Sequence, residues 1–336
     1  MSKERLFLFD TTKFILIFLV IFGHMMEGSR SLSYNSELYG CIYLFHMPLF
    51  IFISGFFSKR YDDKHSFWIS ELRLTETLVI FHVCSMLFKV FVYGRPLIIN
   101  DIVIPGMGSW YLLSLIYWRA MLQFAPKSWL DSKWLIPVCV ALSLLGGYVP
   151  IGGAFSIQRT FTFLPFFMLG YLIKEHGWVE KIRVKTWISA AVLVTVFCSM
   201  FVFNDLGWGG QGDDNEFHNV MMGTYTYFKG SDFISYPLLY RAIFLILSAV
   251  TCCAVLSVVP TKRIPVLTDN GKDTLFFYVY HAFVFRLLLM LYPVLSMEKN
   301  SLNLFIGAVV VMIILILLNR IPFLHYILNP ITRKLK

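Results

Sequence analysis

Residues 13–24 read KFILIFLVIFGH, an apolar run with a lysine at one end and a histidine at the other. At about 100° per residue, the eleven steps from Lys13 to His24 make three helical turns plus roughly 20°, so both side chains share one helix face. A rise of about 1.5 Å per residue puts them about 16 Å apart along the axis. Polar groups at such depth in a membrane are costly and usually line a site. We therefore expect this pair to face one shared interior chamber.

The composition of the chain is that of a membrane protein. Of the 336 residues, 57% are hydrophobic and 15% are charged, against about 25% charged in globular proteins. Ten stretches are apolar enough to predict membrane-spanning helices. They are residues 10–26, 38–58, 72–93, 107–124, 134–158, 159–174, 187–203, 242–259, 273–297 and 301–319. The expected fold is all-α, a polytopic membrane protein of about ten transmembrane helices that forms a single domain over residues 1–336.

The net charge of +9 could suggest a nucleic-acid partner, but its distribution along the chain indicates membrane topology instead. If the N-terminus is cytoplasmic, the loops predicted to lie outside hold only Arg30, Arg95, Lys229 and Lys299. The remaining basic loop residues fall on the inner side, as the positive-inside rule requires. We therefore predict that both termini are cytoplasmic, and we expect no nucleic-acid partner.

The longest connection is a polar loop at residues 204–236, which this topology places outside. Loops of this length in compact domains are often functional. Its residues Asp213, Asp214, Glu216 and His218 could be drawn as a metal site, but their spacing follows no regular coordination geometry. We favour a solvated loop and expect no metal.

Ionisable side chains enter the predicted membrane region from at least six helices. They include Lys13, His24, His46, Arg73, Arg119, Arg159, His281 and Arg286. If they converge, they form a polar cavity whose positive inner mouth suits a phosphate-bearing ligand from the cytoplasm. A histidine near the opposite face suits a general base for a hydroxyl group. Together these features predict group transfer across the membrane.

Several of these residues also have structural explanations. These are interfacial snorkelling for Lys13 and Arg73, hydrogen-bonded helix packing for His46 and His281, and an aromatic belt for Trp110 and Tyr111. A common site is favoured because so many costly polar groups occur in one chain.

Five blocks, in order along the chain, resemble the motifs of one enzyme family. They are FDTTKFILIFLVIFGH (9–24), LFHMPLFIFISGFF (44–57), SWYLLSL (109–115), FLPFFMLGYLI (163–173) and DNGKDTLFFYVYHAF (269–283). Nearly end to end, the chain resembles the acyltransferase-3 family of integral membrane O-acyltransferases. The similarity is greatest to the branch of fucose 4-O-acetylase-like and capsule polysaccharide O-acetyltransferases.

The resemblance implies a multi-pass protein of the bacterial inner membrane. It would move an acetyl group from cytoplasmic acetyl-CoA to a hydroxyl of a glycan at the outer face, such as a capsule, O-antigen or exopolysaccharide unit. His24 would be the essential histidine, Lys13 its basic partner, and Arg73 a ligand of the CoA phosphates. Lys13 stands where the family often has arginine, and Glu76 stands where many members have a second arginine.

The remaining candidate residues are assigned around that framework. We expect His24 and His46 to be catalytic, with His46 orienting the acceptor. The donor site would comprise Lys13, Arg73, Arg119, Tyr278 and His281, and the acceptor site Trp110, Tyr111 and Arg159.

Three alternatives stay open on the sequence alone. An acetyl group carried on His24 would satisfy the same topology as direct transfer. The chain could instead be a transporter or exporter of a lipid-linked sugar or a small anionic metabolite, or a membrane scaffold or sensor with a degenerate site. The oligomeric state is also open, a homo-oligomer included.

Overall fold

Helices make up almost all of the regular structure in the computed structural model, which describes residues 3–30, 34–149, 153–205, 216–229, 232–233 and 236–335. The helices are α1 (Lys3–Met26), α2 (Asn35–Phe57), α3 (Lys64–Tyr93), α4 (Ile99–Val103), α5 (Trp110–Phe124), α6 (Lys127–Leu130), α7 (Leu135–Leu145), α8 (Ile157–Glu175), α9 (Thr186–Asp205), α10 (Glu216–Met221), α11 (Pro237–Val258), α12 (Pro265–Asn270), α13 (Thr274–Val294), α14 (Ser301–Leu318) and α15 (Pro322–Leu328). Two two-residue strands, β1 (Phe228–Lys229) and β2 (Asp232–Phe233), pair antiparallel.

Among the described residues, six helical segments are long and apolar enough to cross a membrane. They are Leu6–Ser29, Asn35–Phe57, Lys64–Tyr93, Pro237–Val258, Pro265–Val294 and Ser301–Leu318. Two shorter apolar helices cover Leu135–Tyr148 and Thr186–Val202. The chain is therefore an all-α, multi-pass membrane protein. The count of ten spans and the cytoplasmic placement of both termini stay predictions.

Helix α2 lies at the centre of the helix bundle, in contact with α1, α8, α9 and α11. Pro48, in its middle, lacks an N–H group, so the carbonyl of Leu44 one turn earlier loses its helical partner. Ser248 of α11 donates a hydrogen bond to that carbonyl at 2.5 Å. In the apolar interior a free carbonyl is costly, so this bond fixes α11 against the proline-containing turn of α2.

Two motif glycines let α2 and α8 pack with their backbones in direct contact. A Cβ atom at Gly55 would lie 1.9 Å from the carbonyl oxygen of Phe167, and one at Gly170 would lie 1.9 Å from that of Phe52. Small residues at helix interfaces are a recurrent device of membrane bundles. The glycines of the GFF and LGY sequences are thus explained by packing.

The predicted span at residues 134–158 is wrong in its extent. Helix α7 ends at Leu145, and a 3₁₀ turn follows at Gly146–Tyr148. A Cβ atom at Gly147 would lie 2.3 Å from the ring of Tyr227, so the chain turns where a buried aromatic ring takes the space. Apolar composition alone does not mark such a break.

The expectation that the 204–236 loop is solvated is wrong for the described side chains of residues 217–227, although Tyr236 at the end of the loop is exposed. Phe217, Val220, Met221, Tyr225 and Tyr227 are all buried. The acidic residues Asp213 and Asp214 and the side chains of Glu216 and His218, which the metal hypothesis involved, lie outside the described residues.

Arg241 of α11 anchors this buried segment. Its Nη1 donates to the Ser143 carbonyl at 2.9 Å and its Nη2 to the Tyr225 carbonyl at 2.6 Å. The guanidinium lies over the Tyr227 ring, 5.1 Å from its centroid. A buried arginine therefore joins α7, α11 and the segment that precedes α11.

Candidate functional site

Two cavities lie in the interior of the helix bundle. The inner cavity, of about 320 Å³, is lined by residues that include Lys13, Ser54, Tyr111, Arg119, Leu275 and Tyr278. The outer cavity, of about 190 Å³, is lined by residues that include His24, Glu27, His46, Trp110, Arg159 and Arg286. "Inner" and "outer" follow the topology predicted from the basic residues.

The expectation of one chamber shared by Lys13 and His24 is wrong in this structure. Lys13 lines the inner cavity and His24 the outer one, while Tyr278 lines both. The Tyr278 hydroxyl donates to the backbone carbonyl of Gly108. Tyr278 therefore forms part of the partition between the cavities, held by a bond to the loop before α5. Sequence spacing placed both polar groups on one helix face but could not reveal a ring inserted between them from α13.

His24 has a carboxylate partner. Its Nδ1 lies 3.2 Å from Oε2 of Glu27, one helical turn further along. A carboxylate accepts here, so Nδ1 is the donor, and in the neutral ring Nε2 is the nitrogen that can accept a proton. The imidazole ring stacks on Phe285, with centroids 5.7 Å apart and 4° between the planes. The tautomer and orientation of His24 are therefore both constrained.

The other two histidines have different surroundings. His46 lines the outer cavity with 2% of its surface exposed, and its Nδ1 lies 2.8 Å from the Ile42 carbonyl. His281 is 1% exposed, has its Nδ1 2.6 Å from the Tyr278 carbonyl, and stacks on His24 at 5.8 Å. The structure thus brings His46 to the cavity but packs His281 behind His24, where it lines neither cavity.

The basic groups of the inner cavity are partly neutralised. Lys13 Nζ lies 2.9 Å from Oδ1 of Asp10, and Arg119 Nε lies 2.7 Å from Oε1 of Glu71. Lys59 also lines this cavity, with its ammonium 4.7 Å from the Tyr61 ring centroid. The inner cavity is therefore less positive than the sequence suggests, because two of its cations form ion pairs with carboxylates.

Arg73 does not join Lys13 in the inner cavity. Its guanidinium donates to the backbone carbonyls of Thr332 and Leu335, while Glu76 accepts from the backbone N–H groups of Ile331 and Thr332. Arg73 and Glu76 thus both hydrogen-bond to the segment that follows α15, and Nη1 of Arg73 is not used in these bonds. Glu76 serves as an anchor for that segment.

Arg73 instead lines an open basic cleft of about 430 Å³. Its other lining residues include Lys272, Asp273, Leu275, His325 and Arg333. Leu275 also lines the inner cavity, so the basic cleft and the inner cavity are neighbours. Sequence reasoning did not select Lys272 or Arg333. Lys272 precedes a predicted span and Arg333 follows the last one, so both were interpreted as ordinary charges of the predicted inner surface.

The two aromatic residues at the start of α5 face different cavities. Tyr111 lines the inner cavity, and its hydroxyl lies 2.7 Å from that of Ser54. Trp110 lines the outer cavity, with the Arg159 guanidinium 4.8 Å from its ring centroid. Consecutive residues of a helix point about 100° apart, so the predicted acceptor residues are divided between the cavities.

Sequence reasoning also missed Glu27, Tyr43 and Met222 of the outer cavity. Glu27 could have been predicted from the sequence, because a residue three positions after His24 on a helix lies beside it. Met222 had none, since it comes from the loop that was expected to be solvated. The Tyr43 hydroxyl lies 3.4 Å from Nδ1 of His24 and becomes visible only once α1 and α2 are packed.

Comparison with known proteins accords with these features. A family model described as "Acyltransferase domain" matches residues 8–320. "Nodulation protein NolL" of Mesorhizobium japonicum is 26% identical over 228 residues, which cover 62% of this chain and 58% of that protein. The protein of the same name from Sinorhizobium fredii is 24% identical over 196 residues, 52% of this chain and 50% of its own.

The chain thus matches between half and three fifths of the length of these relatives. No solved structure matches it. The family match, by contrast, extends over almost all the described helices and includes every block quoted above. The chain belongs to the acyltransferase-3 family.

Proposed function

We propose that the protein is a membrane O-acetyltransferase that moves an acetyl group from cytoplasmic acetyl-CoA to a hydroxyl of a cell-surface or lipid-linked glycan. The observation that carries this proposal is the Glu27–His24 pair in a cavity that shares Tyr278 with a second cavity, which Lys13, Lys59 and Arg119 line. Membership of the acyltransferase-3 family supports the same reaction class.

His24 acts as the general base. With Nδ1 held by Glu27, Nε2 takes the proton of the acceptor hydroxyl while that oxygen attacks the thioester carbonyl carbon. The new C–O ester bond forms, the C–S bond breaks, and the CoA sulfur leaves and receives the proton from Nε2. General-base help of this kind is typically worth about 10²- to 10⁴-fold in rate. His46, in the same cavity, positions the acceptor.

The donor approaches from the basic cleft. Arg73, Lys272 and Arg333 supply cations for its phosphates, and guanidinium and ammonium groups are the usual partners of phosphate. The pantetheine arm lies along the inner cavity past Lys13 and Arg119. Tyr278 has to shift for the thioester to reach His24.

The same proposal assigns a location and a partner. The protein lies in the bacterial inner membrane, takes acetyl-CoA from the cytoplasm and needs an acceptor glycan, such as a capsule, O-antigen or exopolysaccharide unit, on the outer side. The outer cavity, where His24 lies, is the place for that acceptor.

The test compares His24→Ala with wild type in two assays. NMR of the native surface glycan, from strains carrying either form, reports O-acetylation. Release of CoA thiol by purified protein in lipid nanodiscs reports turnover of acetyl-CoA. His176→Ala is the matched control, because His176 is exposed and stacks on Trp178 away from both cavities.

We expect the His24 variant to be produced normally and to lose both signals, whereas His176→Ala retains them. A His24→Ala protein that still acetylates the glycan would refute the proposed role of His24. Movement of a sugar across the membrane without any CoA turnover would favour a transporter instead.

A further inference from the structure

Two arginines line the outer cavity, and each is held in place. Arg159 Nε donates to the Met222 carbonyl at 3.0 Å, and its guanidinium lies over Trp110. Arg286 Nη1 donates to the Ala282 carbonyl at 2.6 Å, and its guanidinium lies 4.5 Å from the Phe285 ring centroid. A guanidinium has five N–H donors, so one carbonyl each leaves most of them available to a ligand.

Among the described residues, no carboxylate is in ion-pair contact with either arginine, although Glu27 lies in the same cavity. Glu27 is the one carboxylate among the described residues that line the outer cavity, and its Oε2 is engaged by His24. Within the described ranges, no carboxylate oxygen comes within 4.0 Å of the Arg159 or Arg286 guanidinium. The Glu27 carboxylate offsets one of the two guanidinium charges, so the described lining keeps one uncompensated positive charge. Such a charge is costly in a membrane interior unless a ligand compensates it.

A second cleft borders the outer cavity at Arg286. Arg286 and Met107 line both the outer cavity and a neighbouring cleft of about 250 Å³ that also includes Lys89, Arg95 and Asp101. In that cleft Lys89 pairs with Asp101 at 2.6 Å, while Arg95 is exposed. Since Asp101 offsets Lys89, the excess positive charge of this cleft comes from Arg95 and Arg286, and such an excess raises the local concentration of anionic ligands.

From this arrangement we propose that the acyl acceptor carries an oxyanion, a carboxylate or a phosphate, which Arg159 and Arg286 bind while His24 faces the hydroxyl. The planar guanidinium fork matches both anions in a two-pronged geometry. The inference rests on the proposed acetyl transfer and adds the substrate class. Arg159 and Arg286 are then specificity-determining residues of the acceptor site.

The experiment measures binding directly, so that it does not depend on turnover. Purified protein in nanodiscs is titrated with galactose, galacturonate and galactose 1-phosphate, and the dissociation constant is read by calorimetry. The variants are Arg159→Gln, Arg286→Gln and Arg286→Lys. Arg183→Gln is the control for loss of an arginine, because Arg183 bonds the Ser257 and Val259 carbonyls and lines none of these cavities.

We expect an anionic sugar to bind at least about tenfold more tightly than galactose, as charge-assisted hydrogen bonds predict. Each Gln variant should remove most of that preference, Arg286→Lys part of it, and Arg183→Gln none. Preference for galacturonate would identify a uronic-acid type of acceptor, and preference for galactose 1-phosphate would identify a phosphate-linked one.

Equal binding of all three sugars to wild type, or equal losses for galactose and the anions in the Gln variants, would overturn the anion proposal. A separate titration with acetyl-CoA distinguishes this from failure of the proposed function. Acetyl-CoA that binds and turns over, combined with no anion preference, leaves the transferase proposal standing and removes only the acceptor class.

Discussion

Glu27 Oε2 lies 3.2 Å from His24 Nδ1, so the histidine that the sequence places at the outer end of α1 is oriented by a carboxylate from the turn that follows. In enzymes where a histidine activates a nucleophile, a third group often orients the histidine, and Glu27 has that position relative to His24. With Nδ1 toward Glu27, Nε2 lies on the side of the ring away from that carboxylate.

The first prediction concerns this pair. Glu27→Gln should lower kcat for acetyl transfer by about 10²-fold. The amide neither fixes the tautomer of His24 nor stabilises the imidazolium that forms during the reaction. KM for acetyl-CoA should stay unchanged, since Glu27 lines only the outer cavity. Steady-state kinetics on purified protein checks both values. Glu180→Gln, on the exposed turn after α8, is the control, and a Glu27 variant with wild-type kcat would remove the orienting role.

Tyr278 is the basis of the second prediction. Tyr278→Ala should join the two cavities and let water reach the thioester, so acetyl-CoA hydrolysis without acceptor should rise severalfold while transfer to glycan falls. Tyr278→Phe keeps the ring and loses only the bond to Gly108, so its effect should be smaller. Thiol release with and without acceptor measures the ratio. Tyr280→Ala is the control on the same helix, because its hydroxyl bonds the Leu324 carbonyl outside both cavities; the same ratio in Tyr278→Ala and Tyr280→Ala would contradict the partition.

The third prediction concerns stability. Gly55→Ala puts a methyl group 1.9 Å from the Phe167 carbonyl oxygen, and backbone cannot yield as a flexible side chain does. We expect destabilisation above about 3 kcal/mol, seen as a lower Tm and loss of the monodisperse peak in size exclusion. Gly28→Ala, with no atom within 4 Å of the added Cβ, should have a wild-type Tm. A stable Gly55→Ala protein would show that α2 and α8 can separate at little cost.

The fourth prediction uses pH. Asp63 caps α3, and hydrogen bonds from the backbone N–H groups of Ser66 and His65 hold the pKa of its carboxyl below the ordinary value. The pKa is lower in the folded state, so the cap stabilises above the unfolded pKa of about 4 and is lost as pH falls through the folded value. Asp63→Ala should therefore lower Tm at pH 7, and its difference from wild type should shrink below about pH 4. Asp62→Ala is the neighbouring exposed control; a Tm difference for Asp63→Ala that is the same at both pH values would exclude the charged cap.

The sequence predicted those features that local pattern determines. Hydropathy identified a helical membrane protein, and the helix period put Lys13 and His24 on one face of α1, where each does line a cavity. Side-chain spacing within a helix is fixed by its geometry, so such predictions need no tertiary information.

What the sequence could not supply depends on contacts between distant segments. The ring of Tyr278 comes from α13 and lies between the two cavities. Arg73 lines the basic cleft instead of the inner cavity, because the carbonyls of Thr332 and Leu335 lie within its reach. The stretch around Tyr227 is polar in composition and was therefore expected to be solvated. It is buried because Arg241 of α11 donates a hydrogen bond to the Tyr225 carbonyl, a contact that composition does not indicate. None of these partners is near in sequence, so no periodicity reports them.

The final prediction tests whether the basic cleft holds the donor's phosphates. Lys272→Gln and Arg333→Gln should each raise KM for acetyl-CoA by about tenfold, as expected for loss of one charge-assisted contact, with little change in kcat. Acetyl-dephospho-CoA lacks the 3′-phosphate, so wild type should have a higher KM for it than for acetyl-CoA. The variant that has lost the side chain binding that phosphate should have the same KM for acetyl-dephospho-CoA as wild type. Lys185→Gln, at an exposed inner-surface lysine before α9, is the control. If both variants raise KM equally for acetyl-CoA and for its dephospho form, neither cation contacts the 3′-phosphate. If neither variant raises KM at all, the phosphates lie elsewhere, and the cations of the inner cavity itself become the next candidates.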